Sequence, residues 1–162
     1  MFECADPGGA PVWGVPDVIG QNRTWAALVP ELTCSDLPSS MHFYTNVVGF
    51  AVGYLRPGFA YLDLGNAQLM LEQGPSDWTT GTLDPPFGRG INLQIEIDDV
   101  DALADRLRAS NVPIFIDVAE NWYRANGLEH GQRELLVQDP DGYLLRFVTV
   151  LGERPVESGT QL

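Results

Sequence analysis

Lysine is missing from this chain: all nine basic residues are arginines, set against 22 acidic residues and two histidines, and the formal net charge is -13. A surface of that sign repels a phosphate backbone, so nucleic acid is not an expected partner, whereas cationic small molecules are attracted. Long apolar runs are missing as well; none approaches the roughly 18–20 residues that a membrane helix needs, so no membrane partner is expected. The amino terminus shows no basic stretch followed by an apolar one, so a secretory signal is not expected and the cytoplasm is the default location. Cysteine is scarce. Cys4 and Cys34 cannot build a disulfide framework, and Cys34 sits in an apolar strand pattern that reads as a buried thiol. Neither His42 nor His130 lies in a nucleophile motif, so a Ser–His–acid triad has no support. A phosphate-cradling glycine loop is absent too: Gly8-Gly9 is followed by neither a helix nor a lysine.

The 162 residues, 44% of them hydrophobic, suit one domain with a sizeable core. Residues 1–22 carry seven Gly and Pro residues without a clear period and read as an irregular arm, with Val12 and Trp13 as anchors to the body or to a second subunit. From Trp25 the pattern sharpens. "WAALVPELTCSD" reads as a strand with a ladder break at Pro30. "SDLPSSMHFYTNVVGF" reads as a helix that Ser35 or Asp36 caps and Gly49 stops, with Leu37, Met41, Tyr44 and Val48 on one face. Three strands follow, around 51–56, 59–64 and 67–73, with turns at Pro57-Gly58 and Gly65-Asn66. Residues 74–89, broken by prolines and glycines, read as a linker.

The order then repeats. "INLQIEID" is an alternating strand. Asp98 or Asp99 caps a helix that carries Val100, Leu103, Ala104 and Leu107 on one face. "VPIFIDVA", "RELLVQ" and "YLLRFVTV" are strands, the last two joined by the hairpin signal Asp139-Pro140-Asp141-Gly142. The tail is expected to fray, leaving 153–162 outside the domain of 23–152. Two tandem βαβββ modules, about 25–73 and 90–150, define an α+β protein whose mixed sheet curls into a cleft with helices on its outer face. Alternation separates Leu93, Ile95 and Ile97 from Asn92, Gln94 and Glu96, and Leu69 and Leu71 from Gln68, Met70 and Glu72. One set faces the helices; the other faces the cleft or water.

Asp36-Leu37, Phe43-Tyr44 and Gly49-Phe50 in the first helix, with "QREL" and "VQDPDGYLLRF" at the close, resemble the vicinal oxygen chelate superfamily over about residues 26–150. Members with chemistry hold a divalent metal between the modules through His, Glu or Gln on four strands. The resemblance carries those four positions onto Val29, Glu72 (the least certain), Asn92 and Arg146. A hydrocarbon offers no lone pair and a guanidinium repels cations, so no metal and no cofactor is expected. The metal-free, bleomycin-resistance branch implies a homodimer that sequesters a bulky cationic ligand in an intersubunit groove. Groove positions map onto Tyr54, Phe59, Glu72 and Gln94. The tryptophan often found before the closing Arg-Glu is absent, and Trp122-Tyr123 stand earlier in what reads as the same loop, beside His130.

The expected ligand-binding set is therefore Tyr54, Phe59, Glu72, Asn92, Gln94, Trp122, Tyr123 and Arg146, with no catalytic residue. Glu72, Glu96 and Glu134 are the carboxylates available to a cationic ligand, and Arg146 is placed to pair with one. The leading expectation is antibiotic resistance by sequestration. The alternatives are a lyase, isomerase or dioxygenase of the same superfamily with a rearranged metal site, and a module whose groove binds a peptide or protein.

Overall fold

The computed structural model describes residues 24–156; the expected arm, its Val12 and Trp13 anchors, and most of the tail lie outside them. The first module runs β1 (Glu31–Cys34), α1 (Leu37–His42), a π-helical turn (Phe43–Val48), β2 (Ala51–Arg56), β3 (Phe59–Leu64) and β4 (Ala67–Gln73). The second runs β5 (Asn92–Glu96), α2 (Val100–Ala109), β6 (Ile114–Ala125), β7 (Leu128–Gln138) and β8 (Leu144–Pro155). Hydrogen bonding divides the strands into two four-stranded sheets, β1-β4-β3-β2 and β5-β8-β7-β6. In each, the first strand pairs parallel with the last and the remaining pairs are antiparallel. The α+β duplication read from the sequence is therefore present, as two mixed sheets.

Both helices bury their apolar stripes in one shared core. Tyr44, Val48, Leu103, Leu107, Leu135, Leu145 and Phe147 are fully enclosed in it. Gly49 ends the first helix with φ +103°, a left-handed value that favours glycine. The cap of α1 departs from expectation. Asp36 stands at the N-cap position without a side-chain bond; the Leu37 amide instead donates to Gln73 Oε1 at 2.8 Å, from the end of β4. At α2 the cap is as read, Asp99 accepting from the Ala102 amide at 3.0 Å. Arg106, near the end of α2, donates to the Val47 and Val48 carbonyls at 3.1 and 3.0 Å. It thus satisfies orphan acceptors of the other module's helix.

Three boundaries differ from the sequence reading. Residues 25–30 are not strand: β1 begins only after Pro30, whose carbonyl accepts from the Met70 amide at 2.8 Å. Trp122, Tyr123 and His130 are not loop residues but lie in a long β6–β7 hairpin. Asn126 and Gly127 turn it, with φ of +53° and +81°, the conformation an Asn-Gly turn supplies. Finally, β8 continues through Glu153 to Pro155, where the tail was expected to fray.

The Asp139–Gly142 turn does more than close a hairpin. The Asp141 carboxylate accepts from the Ser35 amide at 3.1 Å, across the modules. Asp139 accepts from the Tyr44 hydroxyl at 2.9 Å and from the Asp141 and Tyr143 amides at 3.0 and 2.9 Å. Burial nevertheless dominates and pushes the Asp139 carboxyl up from 3.8 to about 6. The folded state therefore holds this proton more tightly than the unfolded chain. Its contribution to stability is fully present below pH 3.8 and is lost as pH rises through 6. Relative to Asp139→Asn, wild-type stability should fall by about 3 kcal/mol between roughly pH 4 and pH 7. Urea unfolding of both proteins across that range measures it, and parallel pH profiles would refute the assignment.

Candidate functional site

Alternation places the non-core side chains of each sheet on one face, and each face carries its own cluster. On the first sheet the cluster is aromatic. Tyr54 from β2 stacks on Phe59 and Tyr61 of β3 with ring centroids 5.6 and 5.2 Å apart. Trp25, which precedes β1, meets Tyr54 and Tyr61 edge-on at 6.2 and 5.2 Å. Such offset and edge-on geometries are the favoured ones for aromatic pairs. The Arg56 guanidinium lies 3.8 Å above the Phe59 ring, so this surface already holds one flat cation. Phe59 and Tyr61 are buried, Tyr54 is half-buried, and Trp25 is 53% exposed. Beside the rings stand Glu31 of β1 and Glu72 of β4. Burial, and then the neighbouring Glu72 carboxyl, hold the Glu31 carboxyl above its usual range.

On the second sheet the cluster is an ion-paired network. Arg146 of β8 pairs with Glu134 of β7 through Nη2, which also donates to the Tyr123 hydroxyl at 2.8 Å. Glu134 is buried and further accepts from Tyr123 at 2.9 Å and from Asn121 Nδ2 at 3.0 Å. The Glu134 contact holds the Arg146 guanidinium in its charged form even more firmly than usual. Gln94 lies directly across the β5–β8 ladder from Arg146. Trp122 does not join this group: its ring packs on Gly131, its Nε1 donates to Glu120 at 2.6 Å, and Arg154 stacks on it at 3.8 Å. Adjacent strand residues face opposite ways, which is why Tyr123 reaches Glu134 and Trp122 does not.

The eight expected residues thus separate. Tyr54, Phe59 and Glu72 gather on the first sheet; Asn92, Gln94, Tyr123 and Arg146 gather on the second; Trp122 stands apart. Between the modules, a cavity of about 290 Å³ is lined by Pro30, Gln68, Asn92 and Gln94 among others. Gln68 links it to the aromatic cluster, since its Oε1 accepts from the Tyr61 hydroxyl at 2.8 Å. Trp25, Tyr61, Glu31 and Asn121 were not among the expected residues, whereas Glu134 was one of the three carboxylates read as available to a cationic ligand or to Arg146. Period-2 alternation could have placed Tyr61 beside Phe59 and Glu31 on the face of Glu72. Asn121 required the long β6, which the sequence reading ended too early.

Two modules of this topology, joined through a common helical core and bearing side-chain clusters on the faces away from it, define a paired βαβββ protein. The chain belongs to the Glyoxalase/Bleomycin resistance protein/Dioxygenase superfamily, whose family profile matches residues 26–147. A bleomycin resistance protein of Geobacillus stearothermophilus is 24% identical over 133 residues, covering 74% of this chain and 92% of that protein. One from Staphylococcus aureus matches to the same extent. Among solved structures, a virulence protein from Salmonella typhimurium aligns with a TM-score of 0.58 at 19% identity, over 79% of this chain and 98% of its own. A lactoylglutathione lyase from Agrobacterium tumefaciens aligns with a TM-score of 0.54 at 21% identity, over 78% and 95%. At these identities the structural likenesses show the fold alone.

The superfamily resemblance implies a divalent metal, and the donor set does not fit one. Val29 precedes β1 and has no donor atom. Superposing the modules on their N-cap residues, Asp36 and Asp99, makes Glu31 equivalent to Gln94. The partner of Gln94 is Arg146, and the partner of Glu31 is Met70. The position equivalent to Arg146 is therefore Met70, a thioether, where the sequence reading chose Glu72. Asn92 supplies a neutral amide, and Arg146 a cation already engaged by Glu134. Hard divalent ions need converging oxygen or imidazole donors. Among the described residues no three His, Cys, Asp or Glu side chains converge in that way.

Proposed function

We propose that this protein binds and sequesters a small, flat, cationic or aromatic antibiotic-like molecule without metal chemistry, acting in the cytoplasm as a homodimer of the bleomycin-resistance type. The observation that carries the reading is Arg146, a guanidinium paired with buried Glu134 at a position where an active relative would offer a lone pair. The aromatic cluster supports the binding half of the reading, because Arg56 on Phe59 shows how a flat cation sits there. The net charge of -13 raises the local concentration of cations. The exposed apolar side chains Phe115, Ile116, Val150 and Leu151 support a subunit contact on the second module.

Calorimetric titration with bleomycin, mitomycin and simple aromatic cations tests this. Binding of at least one is expected, and Trp25→Ala should weaken it about tenfold or more, as loss of an aromatic anchor does. Absence of binding to all of them, or turnover of a substrate by the metal-loaded protein, would contradict the reading.

A further inference from the structure

We propose that the linker covers a second binding site, which takes a neutral small molecule with an apolar body and one hydroxyl or carbonyl group. Residues 74–91 join β4 to β5 without a strand or a helix. A loop beyond roughly 12–15 residues with no regular structure is uncommon in a compact domain, and binding loops are among the usual reasons for one. Between this loop and the end of β1 lies a cavity of about 410 Å³, inside the range of about 300–1,000 Å³ that small-molecule sites span. Its walls share no residue with the cavity between the modules, the aromatic cluster or the Arg146 network. Three contacts hold its shape. The Gly74 amide donates to the Cys34 carbonyl at 2.8 Å, and the Thr79 amide to the Ser76 carbonyl at 3.1 Å. At the far end buried Phe87 packs edge-on against Tyr143, with ring centroids 5.9 Å apart. Gly74 is needed where it stands, because a Cβ there would come within 2.4 Å of Thr33 Cγ2.

The chemistry of the walls selects the ligand. Cys34, Pro75, Leu83 and Phe87 supply apolar surface, and Thr33, Ser35, Thr79 and Thr82 supply hydroxyls. The Thr79 hydroxyl accepts from the Ser76 amide at 3.1 Å, which leaves its own proton to give. No lining residue is charged, in a chain with 22 acidic and nine basic residues. Burial, and then the nearby Asp141 carboxylate, push the Cys34 thiol up to about 11, so it too stays neutral at neutral pH. An ion entering here would shed its water and meet no counter-charge in the walls. A neutral molecule escapes that cost, and hydroxyls that both donate and accept satisfy its one polar end.

Three probes built on one ring system test this: 2-naphthylmethanol, 2-naphthylmethylammonium and 2-naphthoate, each titrated calorimetrically into the full chain. The alcohol should bind saturably and about tenfold or more tighter than the naphthoate. Gly81 lines the cavity, its φ lies outside the left-handed range, and a Cβ there meets nothing within 4 Å. Gly81→Leu should therefore fold, fill the space and weaken the alcohol about tenfold or more. Leu83→Glu, at a position 40% exposed, puts a charge in the wall and should do the same; it serves if Gly81→Leu does not fold. Trp25→Ala reads the aromatic cluster instead. It should weaken the ammonium, as the proposed function requires, and leave the alcohol's affinity within about twofold. The two sites thus fail separately. An alcohol that does not bind, that keeps its affinity in the linker variants, or that loses it in Trp25→Ala overturns the linker site and leaves the sequestration reading standing. A naphthoate that binds tighter than the alcohol, or an ammonium that Gly81→Leu weakens, overturns the choice of a neutral ligand.

Discussion

Arg146→Met should destabilise the protein by about 2–4 kcal/mol, because it strands a buried carboxylate. Glu134 keeps Tyr123 and Asn121 as donors, which holds the loss below that of a fully orphaned charge. Glu134→Gln should cost less, about 1–2 kcal/mol, since the guanidinium left behind can turn toward solvent. Combining the two should bring stability back to within about 1 kcal/mol of wild type, as replacing a whole buried pair often does. Urea unfolding of the four proteins measures this cycle. Additive losses would mean that the pair is not the unit described here.

Gly142→Val should be as damaging, at about 3–5 kcal/mol, from a strained backbone and an overpacked contact together. Gly142 has φ +93°, a value costly for a β-branched residue. A Cβ there would also run into Pro86, only 2.6 Å from its Cα, and stand 3.3 Å from the Phe87 nitrogen. The linker is pinned at this point, as the Phe87 amide donates to the Asp141 carbonyl at 2.8 Å. The substitution should therefore lower the thermal midpoint sharply and expose the 84–88 segment to proteolysis. A variant as stable as wild type would show that the turn and linker do not pack as described.

Where the sequence signal was periodic, it located structure well. Alternation in "INLQIEI" and "AQLMLEQ" separated core from non-core faces, and Leu69, Leu71 and Ile95 are buried while Asn92, Gln94 and Glu96 are exposed. The second helix was legible for the same reason, through its 3.6-residue stripe and the Asp99 cap. The β6–β7 hairpin was not, because "AENWYRANGLEHGQ" lacks apolar alternation; its Asn126-Gly127 turn signal was present and went unused. Nor could the sequence reveal that Gln73 caps α1, since that bond joins residues 36 positions apart. Met70 and Glu72 fall on the same face, so only the strand register tells which one faces Glu31. The partnership of Arg146 with Glu134 needed that same kind of information, because it depends on how β7 and β8 align.

Valine, a neutral amide, a thioether and an already paired guanidinium leave this superfamily member without the means to hold a divalent ion between its modules. Dialysis against Zn²⁺, Mn²⁺ or Ni²⁺, followed by elemental analysis of the washed protein, addresses that directly, because a genuine site retains its ion. The expected result is no more than about 0.1 ion per chain, as for a surface that binds cations only diffusely. One tightly retained ion per chain, lost on mutation of Asn92 or Glu72, would contradict the account.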